Sequence, residues 1–215
     1  MYGPGITRRR QIENMPPFSP FTDTFKSGSG TVAVPSGATG LEITVVGGGG
    51  GGARRNSGIA YGGGGGARAV SATIVIVVGD VGKLLPYSVG APGVGKTAST
   101  GVGAAGLPST VNTNPGGGNS LTNQIGTLTA GAGGGGTASA GGVGGTATGT
   151  ATLTSGTAGD SGQGGNSATG APGGQPGGDG EAPGGGGGPG SYVAEDGVQY
   201  NGGNGGAGQV SFKWT

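Results

Sequence analysis

The sequence predicts an all-β protein in which short strands bracket a bundle of glycine-rich segments, with essentially no helix. Three observations lead to this fold class. Glycine supplies 63 of the 215 residues, in runs that lack the strict three-residue repeat of collagen. Short segments that alternate apolar and polar residues stand on both sides of these runs. After residue 15, no window of ten or more residues shows helical periodicity without glycine or proline.

The composition limits the chemistry of the chain. Leu, Ile, Val and Phe make up about 16% of the residues, less than an ordinary core requires. Disordered chains of this kind carry a high net charge, yet ten cationic residues here face nine acidic ones. The chain contains no Cys and no His, which excludes thiolate or imidazole catalysis and the usual zinc sites. We expect no metal and no cofactor.

Residues 1–22 are predicted to form an extended arm in front of a domain spanning 23–215. The arm contains four Pro and shows no periodic pattern, so it is either a disordered tail or a peptide that anchors the protein to a partner. The side chains available for anchoring are Arg8, Arg9, Arg10, Phe18 and Phe21.

The first strands follow the arm directly. "TFKSGSGTVAVPSG" predicts two short strands around its "SGSG" segment, and "LEITVV" predicts a third after a turn. Alternation in these segments indicates half-buried strands. The side chains expected to point inward are Val32, Val34, Leu41, Ile43 and Val45.

Two further segments complete the strand set. "ARAVSATIVIVVGD" and "KLLPYSVG" are separated by a "GDVG" turn, which predicts a β-hairpin. At the end of the chain, "GQVSFKWT" alternates Val210, Phe212 and Trp214 with polar residues. This pattern predicts a closing strand that pairs with a strand from earlier in the chain.

The glycine runs allow two structures, a flexible linker or polyglycine II. Polyglycine II is a left-handed extended helix with three residues per turn and no internal hydrogen bonds, so its N–H and C=O groups are free to bond neighbouring chains. Repeated runs bracketed by apolar strands favour a polyglycine II bundle. The runs are 47–52, 62–66, 116–118, 133–136, 184–188 and 201–208.

Residues 90–97, "GAPGVGKT", match the phosphate-loop pattern G-x-x-x-x-G-K-[ST]. A true phosphate loop leads into a helix whose N-terminal amides hold the anion. Here Gly101, Gly103, Gly106 and Pro108 interrupt the segment that would form that helix. We therefore interpret the match as accidental and expect no nucleotide binding.

Acidic residues suggest two further sites, and both are weak candidates. "GGDGEAPGG" is similar to a calcium-binding β-roll repeat but lacks its second turn and its spacing, so a solvated loop is the better interpretation. Glu195 and Asp196 are adjacent carboxylates that would serve a glycosidase only within a cleft. The chain is not expected to be an enzyme.

Polar and aromatic residues between the glycine runs are the candidates for binding. "ARRNSG" reads as an exposed turn or as an anion site. Tyrosines beside the runs are either structural caps or exposed contacts of the kind that bind sugars. The receptor-contact candidates are Arg54, Arg55, Asn56, Tyr61, Asn112, Asn114, Tyr192 and Tyr200.

Three segments together resemble the glycine-rich domain of bacteriophage tail-fibre and other virion appendage proteins. They are "DTFKSGSGTVAVPSGATGLEITVVGGGGGG", "YGGGGGARAVSATIVIVVGDVGKLLPYSVGAPG" and "GGNGGAGQVSFKW". The resemblance covers about residues 23–95 and 200–215, whereas residues 96–199 share only their glycine content. In this family the "GAPGVGKT" segment corresponds to a hairpin strand and its glycine exit, with Lys96 and Thr97 incidental.

The resemblance implies a non-enzymatic virion protein, a tail-fibre or tail-tip component that recognises a glycan or protein of the host surface. Residues 1–22 would then contact other virion proteins. An alternative is a capsid decoration or minor virion protein anchored by the same arm. Cationic residues are too few for nucleic-acid binding, and the longest apolar run is too short for membrane insertion. Association between copies of the chain stays open.

Overall fold

The computed structural model describes residues 18–190, 192–193 and 198–215. Thirteen strands and one 3₁₀ turn (Val78–Asp80) occur in these ranges, and no α-helix does, which confirms the predicted all-β fold. In chain order the strands are β1 (Phe21–Phe25), β2 (Ser29–Ala33), β3 (Gly40–Val46), β4 (Arg68–Val70), β5 (Ile74–Val75), β6 (Leu84–Ser88), β7 (Ser109–Asn112), β8 (Thr127–Ala130), β9 (Ala147–Thr148), β10 (Thr152–Thr154), β11 (Tyr192–Val193), β12 (Val198–Gln199) and β13 (Gln209–Trp214).

The first sheet is antiparallel and has the strand order β1-β13-β3-β4-β10, with β5 also paired to β3. The closing strand β13 lies between β1 and β3, so it does pair with earlier strands as the sequence predicts. Its Phe212 lies opposite Ile43 of β3. The predicted inward residues of β3, Leu41, Ile43 and Val45, are completely buried.

The second sheet is also antiparallel and has the strand order β2-β6-β7-β8-β9. Its inward side chains, among them Val32, Leu85 and Val111, join those of the first sheet in one hydrophobic core. Phe25 of β1 stacks on Tyr87 of β6 with ring centroids 4.2 Å apart, which joins the two sheets at one side. The two sheets therefore pack face to face over a shared core.

The predicted hairpin between "ARAVSATIVIVVGD" and "KLLPYSVG" is wrong. β4 and β5 pair with β3 in the first sheet, whereas β6 pairs with β2 and β7 in the second. The chain crosses between the sheets at the 3₁₀ turn instead of folding back on itself. The "GDVG" segment thus connects two sheets. β5 is shorter than β3 and β2, so β5 pairs with the longer edge of β3 and β6 pairs with the longer edge of β2.

Asp80 holds this crossing in place from a completely buried position. Its Oδ1 lies 2.8 Å from Lys83 Nζ and accepts hydrogen bonds from the N–H and the Oγ1 of Thr122, each 2.9 Å long. Its Oδ2 accepts one from Val77 N–H. Burial alone would raise the pKa of Asp80, but the bonds from Lys83, Thr122 and Val77 outweigh it and lower the pKa to about 2.

The glycine run 47–52 lies at the centre of a bundle and bonds to a different neighbour at each successive residue. The N–H groups of Gly47 and Gly50 donate to residues 67 and 64, and the next such donor, Ala53, bonds to residue 61. The N–H groups of the intervening residues donate to two other segments, and each of these series again repeats every three residues. In total, the N–H groups of the run and of the residues that directly follow it donate to carbonyl groups in three segments, 61–67, 101–107 and 203–206. Their carbonyl groups accept hydrogen bonds from N–H groups in three other segments, 93–96, 133–136 and 187–190.

This period of three is the pattern that polyglycine II requires, and it supports that assignment, which stays a prediction. The close spacing of the chains explains the composition. A Cβ added at Gly50 would collide with the carbonyl group of Gly134, and one at Gly63 with the carbonyl group of Gly50. Glycine is needed in the bundle because neighbouring backbones touch where side chains would project. The prediction is wrong for the run 116–118, whose glycines lie outside the bundle in an exposed turn with positive φ and with open space around their Cβ positions.

The molecule has two distinct ends. β3 leads from Gly40 at one end into the central run and on to Arg54 at the other. We call the first the sheet end, formed by residues 35–39, 73–83 and 113–126. We call the second the loop end, formed by the turns 54–60, 97–100, 137–140, 161–162 and 175–177 and by the β11–β12 hairpin. Among the described residues, no helix is long and apolar enough to cross a membrane.

Candidate contact surface at the loop end

Backbone hydrogen bonds fix the position at which the loop 54–60 leaves the bundle. Arg54 and Gly101 exchange N–H···O bonds of 3.0 and 2.9 Å. The N–H of Arg55 donates to the carbonyl oxygen of Gly190 over 3.1 Å. The loop therefore begins from a rigid attachment to two neighbouring segments.

The two arginine side chains tie the turns of the loop end together. Arg54 Nη1 donates to the carbonyl oxygen of Thr97, and Arg54 Nε is buried without a partner among the described residues. Arg55 Nη1 donates to the carbonyl oxygen of Ala138 over 3.3 Å. Both guanidinium groups thus bond to backbone carbonyls. This arrangement favours a structural clamp over the free anion site that "ARRNSG" also allowed.

Asn56 connects the loop to the β11–β12 hairpin. Its Oδ1 accepts a 2.9 Å hydrogen bond from Gln199 Nε2, and its N–H donates to Thr100 Oγ1 over 3.3 Å. Both amide side chains are exposed, so they also present polar groups to solvent. Gln199 was not among the predicted contact residues, because no local pattern links two positions so far apart in sequence.

The predicted tyrosines occupy different positions at this end. Tyr61 is half-buried, and its backbone bonds to Thr137 and Ala53 where the loop returns to the bundle. Tyr200 lies against Gly177, whose positive φ of 76° makes a tight turn, and 36% of Tyr200 remains exposed. Tyr200 therefore covers a turn and remains partly exposed to solvent. Tyr192 lies in β11, and its side chain is outside the described residues.

The loop 97–100 contains the one non-glycine residue with positive φ in the described part of the chain, Ser99 at 53°. Such strained residues concentrate at functional sites in proteins. Ser99 lies between Thr97 and Thr100, which accept hydrogen bonds from the Arg54 side chain and the Asn56 backbone. The sequence contained no signal for this strain.

Asn112 and Asn114 lie at the sheet end, away from the other contact candidates. β7 begins at Ser109, whose Oγ bonds to the carbonyl oxygen of Val46 at the edge of the bundle, and runs toward the sheet end. Asn112 Oδ1 accepts from Asn114 N–H over 2.8 Å, and Asn114 Oδ1 accepts from Ser120 Oγ over 2.6 Å. Both side chains order the turn that follows β7.

Of the residues predicted to anchor the protein, the structure describes some and not others. Phe18 packs against Gly37 at the sheet end, and its ring centroid lies 5.9 Å from that of Phe21. Phe21 begins β1, opposite Trp214. Arg8, Arg9 and Arg10 lie outside the described residues.

The "GAPGVGKT" segment is part of the bundle. The N–H groups that a phosphate loop would turn toward an anion bond to protein atoms instead. Gly90 donates to Ser109 Oγ, Gly93 to the Gly49 carbonyl and Lys96 to the Gly52 carbonyl, over 2.8 to 3.0 Å. The segment that follows contains no helix. This geometry is not that of a phosphate loop.

The acidic candidates provide no shared site among the described residues. Asp179 Oδ1 accepts a 2.6 Å hydrogen bond from the N–H of Asn204 and so orders a turn. No cluster of three potential metal-binding side chains occurs in the ranges given above. Glu195 and Asp196 lie outside the described residues.

A family model described as a glycine-rich domain matches residues 24–215, which is nearly the whole chain and includes the bundle and every strand from β2 onward. No curated protein sequence matches the chain.

Proposed function

This chain belongs to the glycine-rich domain family, and we propose that it is a non-enzymatic bacteriophage virion protein that recognises the host surface through its loop end. In this proposal it is a tail-fibre or tail-tip component. The observation that carries the proposal is the division between a rigid bundle and the exposed polar turns at one end of it. Loops positioned by a rigid scaffold are a common arrangement for binding.

The chemistry of the loop end supports polar recognition. Asn56 and Gln199 expose amide groups, and Tyr200 exposes part of an aromatic ring. Amides bond to hydroxyl and amide groups, and aromatic rings pack against sugar faces or apolar side chains. A glycan or a protein of the host surface is therefore the proposed ligand. Weak single contacts gain strength when many copies act on one particle.

The position of the sheet end supports attachment of the protein at that side. Phe18 and Phe21 lie there, next to the start of the described chain. In the proposal, residues 1–22 contact other virion proteins while the loop end faces outward.

A capsid decoration protein is the second candidate, favoured by the same aromatic residues at the sheet end, of which Phe21 is exposed and Phe18 is half-buried. Electron microscopy of particles labelled with gold-tagged antibody to residues 23–215 separates the two. Label at tail or fibre ends supports host recognition. Label over the head supports decoration and removes the basis for loop-end recognition.

Binding of fluorescently labelled protein to intact bacteria tests the loop end itself. We expect the double variant Asn56→Ala, Gln199→Ala to bind at least about tenfold more weakly, because interface hot spots of this size are typical. Asn114→Ala is the matched control, since Asn114 lies at the sheet end. Equal losses in both variants would argue against recognition at the loop end.

A further inference from the structure

An apolar surface at the sheet end has no partner within the described structure. It consists of five aliphatic side chains within ten residues, and we call it the valine surface. Val78 is 92% exposed and Val75 is 59% exposed. The members of the surface are Val75, Val77, Val78, Val81 and Leu84. Large exposed apolar patches mark interaction sites in soluble proteins.

The valine surface is held in a fixed shape. The turn bonds from Asp80 N–H to the Val77 carbonyl and from Lys83 N–H to the Asp80 carbonyl keep its backbone compact. The buried carboxylate of Asp80 joins this segment to Thr122 in the neighbouring loop. A partner would therefore meet a preformed surface and would not have to order it.

The described chain begins beside this surface. Phe18 packs against Gly37, in the loop that follows Val34. Val34 exchanges hydrogen bonds with residues 82 and 83, and the Thr39 carbonyl accepts one from Ile76 N–H. The loop that contacts Phe18 is thus bonded on both sides to the segment that carries the valine surface.

We propose that residues 1–17 of the same chain bind the valine surface through Ile6, Ile12 and Met15. Ile12 precedes Phe18 by six residues and can reach about 20 Å from it, while Ile6 can reach about 40 Å. A short connection gives the segment a millimolar effective concentration at the surface, which favours its own chain over another copy. This inference concerns the protein on its own and does not depend on the proposed function, in which contacts of residues 1–22 with other virion proteins would replace it.

The absence of native Cys allows a clean cross-linking test in the full-length chain. The pair Ile12→Cys, Val78→Cys is oxidised with glutathione disulfide and compared with the pair Ile12→Cys, Ser139→Cys. Ser139 is exposed at the loop end, so it serves as the distant control. We expect the intramolecular disulfide with Val78→Cys to form at least about fivefold faster. Equal rates would overturn the proposal, and so would cross-linked dimers as the main product.

A second measurement avoids cysteine. We expect Ile12→Asp to raise the fluorescence of an apolar-surface dye several-fold, because a charged side chain leaves the valine surface uncovered. Thr7→Asp introduces the same charge in the same segment at a polar position and should leave the fluorescence unchanged. Unchanged fluorescence in Ile12→Asp, or an equal rise in both variants, would contradict the proposal.

Discussion

At the scale of single residues, two groups of polar side chains have different structural roles. Asp80 is buried with all of its bonds made inside the sheet end, whereas Asn56 and Gln199 bond to each other in an exposed position. The first arrangement fixes the crossing between the sheets. The second holds the hairpin against the loop while leaving polar atoms accessible to solvent.

The buried carboxylate makes stability depend on pH. The pKa of Asp80 is lowered from 3.8 to about 2, so its contribution is present above pH 3.8 and is lost as the pH falls through about 2. The contribution is worth about 2 kcal/mol. We expect Asp80→Asn to lower the free energy of unfolding at pH 7 by at least that amount, and the difference from wild type to shrink toward pH 2. Denaturant unfolding at both pH values measures it, and an unchanged difference would contradict this role.

Lys96 tests the accidental phosphate-loop match at the same scale. Because the N–H groups of Gly93 and Lys96 bond to the central glycine run, we expect no heat of ATP binding in calorimetry. Lys96→Ala should give the same result as the wild type. Saturable binding that is lost in Lys96→Ala would show that the segment is a nucleotide site and that the match is not accidental.

At the scale of structural elements, the glycine bundle tolerates no side chains at its centre. Gly50→Ala places a methyl group against the carbonyl of Gly134, so we expect a loss of about 2 kcal/mol or more in the free energy of unfolding. Gly79→Ala is the matched control, because Gly79 has open space around its Cβ position and no positive φ. The control should stay within about 0.5 kcal/mol of wild type. Chemical denaturation measures both variants, and equal effects would refute close backbone packing.

The strands show how far the sequence alone determines the elements. Alternation identified β3 and its buried Leu41, Ile43 and Val45, because a strand with one face on the core must repeat every two residues. Alternation does not specify which sheet a strand joins, and so the hairpin that would contain β6 was predicted wrongly. The sequence likewise does not predict which segments lie beside the central glycine run, since identical glycines carry no pairing preference.

The positions of the predicted contact candidates follow the same rule. The turn around Arg54, Arg55 and Asn56 was identified from its polar composition, and it does lie at the loop end with Tyr61 and Tyr200. Asn112 and Asn114 looked equivalent in sequence but lie at the other end, because the direction of β7 decides their position. Gln199 was missed because its link to Asn56 exists only in the folded chain.

At the scale of the whole molecule, the bundle connects the sheets to the loops through main-chain hydrogen bonds. We expect the amide of Gly50 to exchange with solvent only when the whole protein unfolds, at least about a thousandfold slower than the amide of Gly116. Gly116 lies in an exposed turn, and its N–H donates to the Ser120 hydroxyl. Amide exchange followed by NMR compares the two. Similar rates would mean that the bundle opens independently of the sheets.

The main-chain bonding of the bundle also bears on how such a protein changes over generations. The six segments around the central run are bonded to it through main-chain N–H and C=O groups, and the side chains of the turns take no part in those bonds. Mutations in the turns can therefore alter what the loop end presents while the support keeps its hydrogen bonds. Sequence changes at the loop end then have little effect on the stability of the bundle and the sheets, which is the condition for rapid diversification of a binding surface.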